Sequence, residues 1–219
     1  VTGVPVIDPA FLAPTRFVDS DHPRVVEFAR EVCAGARDDR ERASRLFTAV
    51  RERLRYDPYS VSTDPDEYKA STLLERDRGY CIPKAVLLCG AARAAGIGAR
   101  LGFADVKNHL ASDKLLEMLG SDLFAWHGYV ELWIDGRPLK ATPAFNAMLC
   151  KYFGVAPLEF DGEHDALLQP HDEKGRRYMQ YVRDRGLFLD LPLEEILATF
   201  AELYGHLRPP AEDEAFRQR

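Results

Sequence analysis

Within this 219-residue chain, Cys81 has the surroundings of a nucleophile. It follows Gly79-Tyr80 and opens a stretch, residues 82–95, that is almost wholly apolar and reads as a helix, with Pro83 accommodated in the first turn. The unpaired N–H groups at a helix start carry partial positive charge, which favours thiolate over thiol. An ordinary cysteine titrates at about 8.5, so that help matters near neutral pH. The same N–H groups are suited to hold the oxyanion that forms when a carbonyl is attacked. His127 opens an alternating stretch further along and is the candidate base. A thiol and an imidazole that exchange a proton are the minimum set for acyl transfer.

The local motifs give that pair its weight. Gly79-Tyr80-Cys81 is followed by Lys84-Ala85 and then by Ala91-Ala92-Arg93-Ala94-Ala95-Gly96-Ile97-Gly98-Ala99-Arg100. This pattern resembles the transglutaminase-like superfamily of papain-type cysteine enzymes, in which a G-x-C helix start is followed by R-x-x-G-I-x-A-R entering a strand. His127, Glu131 and Gly136 match that family's second motif, H-x-x-x-E-x-x-x-x-G. The resemblance covers about residues 40–145. It implies a papain-like α+β core, chemistry without a metal or other cofactor, and a Cys-His-Asp triad with Cys81 as nucleophile and His127 as base.

The chain departs from the family at the third position. The family places Asp in a D-P-T or D-A-T-P segment closing the hairpin; here the segment is Leu139-Lys140-Ala141-Thr142-Pro143-Ala144. An ungapped count from His127 puts Thr142 there, and aligning on Ala-Thr-Pro puts Lys140 there. Neither is a carboxylate. Thr142 is the expected third residue, orienting the imidazole by a hydrogen bond without adding charge. Asn146 is a second candidate, whereas a charged Lys140 would repel an imidazolium.

Other residues are weighed against blander roles. Trp126 is either packing or a wall of the acyl site. His109 sits past a strand end bordering the expected cleft, as a substrate contact or alternative base. Asp161, Glu163, His164, Asp165, His171 and Asp172 are irregularly spaced on a loop and read as a solvated acidic run rather than a metal site. Cys33 and Cys89 read as core, and Cys150 as core or interface. The four cysteines make no CxxC pair, so neither a zinc site nor a disulfide framework is expected.

The elements that must position Cys81 and His127 follow from periodicity. Asp21 is the expected cap of a helix from about Pro23, broken at Gly35. A second helix covers residues 39–55, with Ala43, Leu46, Phe47, Val50 and Leu54 as its apolar stripe. A short helix at 71–76 precedes the central one. Strands are expected at 98–106, 127–134 and 139–142, the last two joined by the Asp135-Gly136 turn. Helices are expected at 112–119, 144–153, 178–185 and 192–204, with a long loop at 154–175 and a loose tail at 206–219. The order favours a single α+β domain over residues 1–219: a central helix packed on an antiparallel sheet, extra helices at both ends, a core at 40–145 and a helical extension at 146–205.

Composition excludes other classes. The chain is 46% apolar with 12 Phe and 9 Tyr, so it can bury a large core. Lys plus Arg total 29 against 35 Asp plus Glu, a net charge of -6, which argues against nucleic acid as partner. No apolar run approaches the ~20 residues of a membrane span. Residues 1–8 lack signal-peptide character, and a cytoplasmic setting with free thiols is expected. The expected partner is a peptide, amide or small acyl substrate. Alternatives are a non-catalytic binding module of the same fold and a metal enzyme built on the acidic loop.

Overall fold

The first helix, α1 (Pro23–Val32), has Pro23 at its start and buries Val25 and Ala29. Its cap is His22, whose ring nitrogen accepts from the Arg24 N–H, rather than Asp21. Helix α2 (Asp39–Arg53) is capped by Asp38, which accepts from the Glu41 N–H at 2.9 Å. Its stripe of Ala43, Leu46, Phe47 and Val50 is fully buried. On its outer side Glu41 pairs with Arg37 and Arg45. The computed structural model describes residues 7–204, so the tail at 206–219 and most of the 1–8 segment lie outside the described residues.

A short strand, β1 (Arg55–Tyr56), follows α2, and a one-turn helix α3 (Ala70–Leu73) leads to β2 (Arg78–Gly79), which pairs parallel with β1. Next comes α4 (Cys81–Ala94), the central helix, buried from Ile82 to Arg93. Two cations lie within it, and both satisfy backbone carbonyls. Lys84 Nζ donates to the carbonyls of Arg51 at 2.7 Å and Leu54 at 2.5 Å, tying down the end of α2. Arg93 donates to the carbonyls of Ala13, Ala99 and Leu189. Bonds of this kind are what let a charged head sit inside a helix that reads as apolar.

The sheet is built from β3 (Gly98–Asn108), β4 (Leu123–Ile134), β5 (Arg137–Ala141) and β6 (Met179–Phe188), in the order β5-β4-β3-β6 with every pair antiparallel. Helix α5 (Asp113–Leu119) joins β3 to β4. Asp135 and Gly136 form the β4–β5 turn at φ 51° and 76°, the left-handed pair that this turn requires. Helix α6 (Ala147–Phe153) and the long loop precede β6, and α7 (Leu193–Tyr204) ends the described chain. One core cluster runs from Phe17 to Tyr204, so the C-terminal elements share the core of the earlier ones.

The expected helix at 178–185 is instead β6. Met179 to Phe188 complete the sheet along the free edge of β3, from Asn108↔Met179 to Leu101↔Phe188. An open edge of β3 would leave a row of backbone donors and acceptors unpaired, and that tertiary demand overrides local propensity. The charged run Arg183-Asp184 is solvent-exposed there, as suits an edge strand. The segment expected as a helical extension is therefore part helix and part sheet. Of these other three cysteines, Cys89 and Cys150 are buried and Cys33 is half-buried against the core.

Candidate active site

The approach to Cys81 is fixed before the helix starts. The β1–β2 pairing brings Gly79 beside Tyr56, and the Asp57 N–H donates to the Gly79 carbonyl at 3.0 Å. Tyr80, at the cap position, makes no side-chain bond to the helix start; its hydroxyl meets that of Tyr68 at 3.0 Å. No Tyr80 side-chain acceptor therefore competes for the first-turn amides of α4.

Strand β4 comes unusually close to that helix end. A Cβ on Gly128 would stand 3.1 Å from the Cys81 carbonyl oxygen and 3.2 Å from Ile82 Cα, so glycine is what permits the approach. The N–H groups of Gly128, Ile82 and Cys81 itself favour a thiolate, as does the charge of Lys84. Cys81 is half-buried, with part of its surface open to the cavity, and its burial still outweighs them and pushes the thiol up to about 11. His127, adjacent to Gly128 in the chain, is 4% exposed, and burial pushes it down to about 4. Near neutral pH the two groups therefore rest as thiol and neutral imidazole.

Two buried side-chain polar atoms make no hydrogen bond of normal geometry among the described residues: His127 Nε2 and Thr142 Oγ1, the latter facing the Tyr181 hydroxyl closely enough to favour its ionised form. Unpaired buried polar atoms are costly, so each calls for an explanation such as a functional role. Thr142 is fully buried and follows directly on Ala141, which pairs with Val130 of β4. The ring of Tyr181 stands edge-on to His127, centroids 6.2 Å apart. The other two candidates for the third position are committed elsewhere. Asn146 accepts from the Tyr56 N–H at 3.3 Å, and Lys140 Nζ lies 5.4 Å from the Tyr129 ring centroid.

Cys81 and His127 line one cavity of about 560 Å³, and Thr142, Trp126 and His109 do not. Trp126 faces the core instead. Its indole packs against Phe103 and Phe188, and its N–H donates to Thr199. His109 is exposed on the outside, 3.3 Å from Gln180, although its neighbours Asn108 and Leu110 reach the cavity. In the acidic loop, His164 pairs with Asp161, and Asp172 with Arg176. No cluster of three His, Cys, Asp or Glu suited to a metal occurs among the described residues. None of the helices there is long and apolar enough to cross a membrane.

Sequence reasoning missed two features. Asp105 sits where the β3–β4 register shifts; its carboxylate accepts from the Trp126 N–H at 3.0 Å and pairs with Arg185, which also stacks 4.6 Å from the Trp126 ring centroid. This bond holds Trp126 at φ 59°, a strained value for a non-glycine residue, one position before His127. Bulges of this kind re-aim a side chain. The other feature is the cavity wall from α5, α6 and α7. The Leu193, Ile196, Leu197, Phe200 and Tyr204 spacing of α7 signals an apolar face, but not what the face lines.

Comparisons with known proteins concern the fold and the family. No curated protein matches the chain. Among solved structures, it is similar to the "Putative Cysteine Protease from Cytophaga hutchinsonii" at 17% identity and a TM-score of 0.46, over 81% of this chain and 50% of that one. It is also similar to a "Putative Protease from Parabacteroides distasonis" at 18% identity and a TM-score of 0.41, over 60% of this chain and 25% of that one. The chain thus spans half the length of the first and a quarter of the second. The family model described as the transglutaminase-like superfamily matches residues 26–140, a stretch that runs from α1 through Cys81 and His127 into β5. With more than half of its length in that match, the chain belongs to the transglutaminase-like superfamily.

Proposed function

We propose that the protein is a cysteine acyl-transfer enzyme acting on an amide or ester through Cys81 and His127. The observation that carries this reading is that both side chains line the same cavity while the N–H groups of Gly128 and Ile82 favour negative charge on the Cys81 sulfur. The thiol proton passes to His127 as the sulfur attacks the carbonyl carbon. The tetrahedral oxyanion is held by N–H groups at the start of α4. His127 returns the proton to the leaving amine or alcohol as the carbon–heteroatom bond breaks, leaving a thioester on Cys81. Water or an amine then attacks the thioester, giving hydrolysis or transfer according to which one reaches it.

Thr142 is the third member in this reading. Thr142 Oγ1 and His127 Nε2 do not bond each other in the structure, so this role requires the hydroxyl to turn from its neighbour Tyr181 onto Nε2 during the reaction, orienting the ring without adding charge. Starting from a neutral pair, the proton transfer belongs to the attack itself rather than to a resting ion pair. The test is mass spectrometry of the protein after exposure to a panel of activated esters. One acyl adduct on the wild type and none on Cys81→Ala is expected; an adduct that persists in the variant rejects the mechanism.

A second reading is a binding module that keeps the fold without turnover. It is favoured by the absence of a carboxylate at the third position and by the raised Cys81 pKa. It expects iodoacetamide to label Cys81 no faster than an ordinary exposed thiol at pH 6, and no acyl adduct.

A further inference from the structure

We infer that the Cys81 cavity takes a neutral, apolar acyl chain, so that the acyl donor is a fatty or aromatic ester or amide rather than a charged one. This rests on Cys81 being the nucleophile. Although 29% of the chain is Asp, Glu, Lys or Arg, none of these residues lines the cavity among the described residues. Its wall is formed by Leu115 and Leu119 of α5, Leu149 and Phe153 of α6, and Leu197 and Phe200 of α7. Its polar groups are uncharged ones such as Asn108 and Ser112, together with His127, which burial keeps neutral. A carboxylate or ammonium entering this space loses water and finds no counter-ion. An alkyl or aryl group gains by leaving water. The cavity, about 560 Å³, falls within the range of small-molecule sites, about 300–1,000 Å³.

The origin of the wall adds to the argument. Four of those six residues lie beyond residue 140, outside the stretch matched by the family. Most of the wall is therefore supplied by residues outside that stretch, added to a core that carries the thiol and the imidazole.

The step balances for an aryl ester. The Cys81 sulfur forms a bond to the acyl carbon, the carbon–oxygen bond to the phenol breaks, and the thiol proton leaves with the phenol by way of His127. Water then cleaves the thioester, releasing the carboxylic acid and restoring the thiol.

The experiment measures kcat/KM for p-nitrophenyl esters from acetate to decanoate, with the free-acid succinate mono-ester as the charged member. A rise of about fourfold per methylene, up to the length that fills the cavity, is expected. The succinate ester should react at least tenfold more slowly than the neutral ester of like length. Phe200→Ala should move the optimum to longer chains and Leu197→Trp to shorter ones. Calorimetry of methyl decanoate on the Cys81→Ala protein reads the site without the chemistry. A Cys81 adduct that forms equally well with every chain, or best with succinate, overturns the inference and leaves the nucleophile reading intact. Binding of methyl decanoate without any adduct keeps the apolar site and overturns the nucleophile reading. Neither binding nor adduct overturns both.

Discussion

Two crevices open on the same sheet, and they differ in charge. The cavity at Cys81 is the larger, at about 560 Å³, and no charged residue among those described lines it. The crevice at Tyr129 and Tyr181 is about 290 Å³ and is lined by Lys140, Arg183 and Asp184. Charges in the second can remain hydrated, so it is an ordinary polar recess at the edge of β6. The first surrounds a half-buried thiol and a buried imidazole with uncharged side chains among the described residues, an apolar surface left open at a cost in stability that folding alone does not require. Lys140, which one alignment places at the family's aspartate, belongs to the second crevice. It therefore adds no positive charge to the site of the proposed chemistry.

The largest expected effect sets the two crevices against each other. Cys81→Ala should lower acyl transfer by at least about a thousandfold, the order seen when a catalytic nucleophile is removed. Lys140→Ala should leave the rate within about twofold. A comparable loss in both variants, measured as kcat/KM on the best ester, would break the contrast.

The next effect concerns the clamp behind His127. Arg185→Met strands a buried carboxylate at Asp105, which should cost about 3 kcal/mol in urea unfolding. It should also lower kcat more than it raises KM, because Trp126 is released beside the base. A variant with unchanged stability would show that the Asp105–Arg185 pair holds nothing in place.

The burial of His127 sharpens the contrast through pH. Its ordinary value of 6.5 falls to about 4 in the folded protein. Above pH 6.5 both states hold a neutral ring. Between 6.5 and 4 the unfolded chain takes up a proton that the folded one refuses, so stability declines as pH falls. From pH 7 to pH 5 the loss from this group should be about 2 kcal/mol. Lys84, pulled down to about 7 by its burial, is protonated in both states over most of that window and contributes little to the change. The difference between wild type and His127→Phe in chemical denaturation at the two pH values isolates the effect. Equal slopes would place His127 in contact with solvent or a counter-charge.

The smallest effect is at Thr142. Thr142→Val keeps the shape and removes the hydroxyl, and losing one neutral hydrogen bond formed to Nε2 during the reaction predicts a fall in kcat of about tenfold with KM unchanged. An unaltered kcat would leave His127 oriented by packing alone, Tyr181 included.

Much of this frame was legible in the chain. The α2 stripe, the Asp135-Gly136 turn, the buried character of residues 82–95 and the Cys81 and His127 positions all follow from short-range patterns. Trp126 and His109 were less legible. A wall position and a core position look alike along an alternating strand, and the bulge at Asp105 that turns Trp126 inward depends on Arg185, far along the chain. The helix expected at 178–185 failed for a related reason: nothing within those residues announces that β3 lacks a neighbour.

The sequence by itself determined the family, the central helix with its thiol at the start, and the lack of a carboxylate at the third position. These are facts of residue identity and of contacts a few positions apart. Only the tertiary structure decided that β6 closes the sheet and that α5, α6 and α7 wall the cavity beside the thiol with apolar side chains. It alone shows that, among the described residues, His127 Nε2 and Thr142 Oγ1 are buried without a hydrogen bond of normal geometry. Those outcomes depend on which distant segments exclude water together, and solvent exclusion is a property of the assembled surfaces rather than of any one stretch of chain.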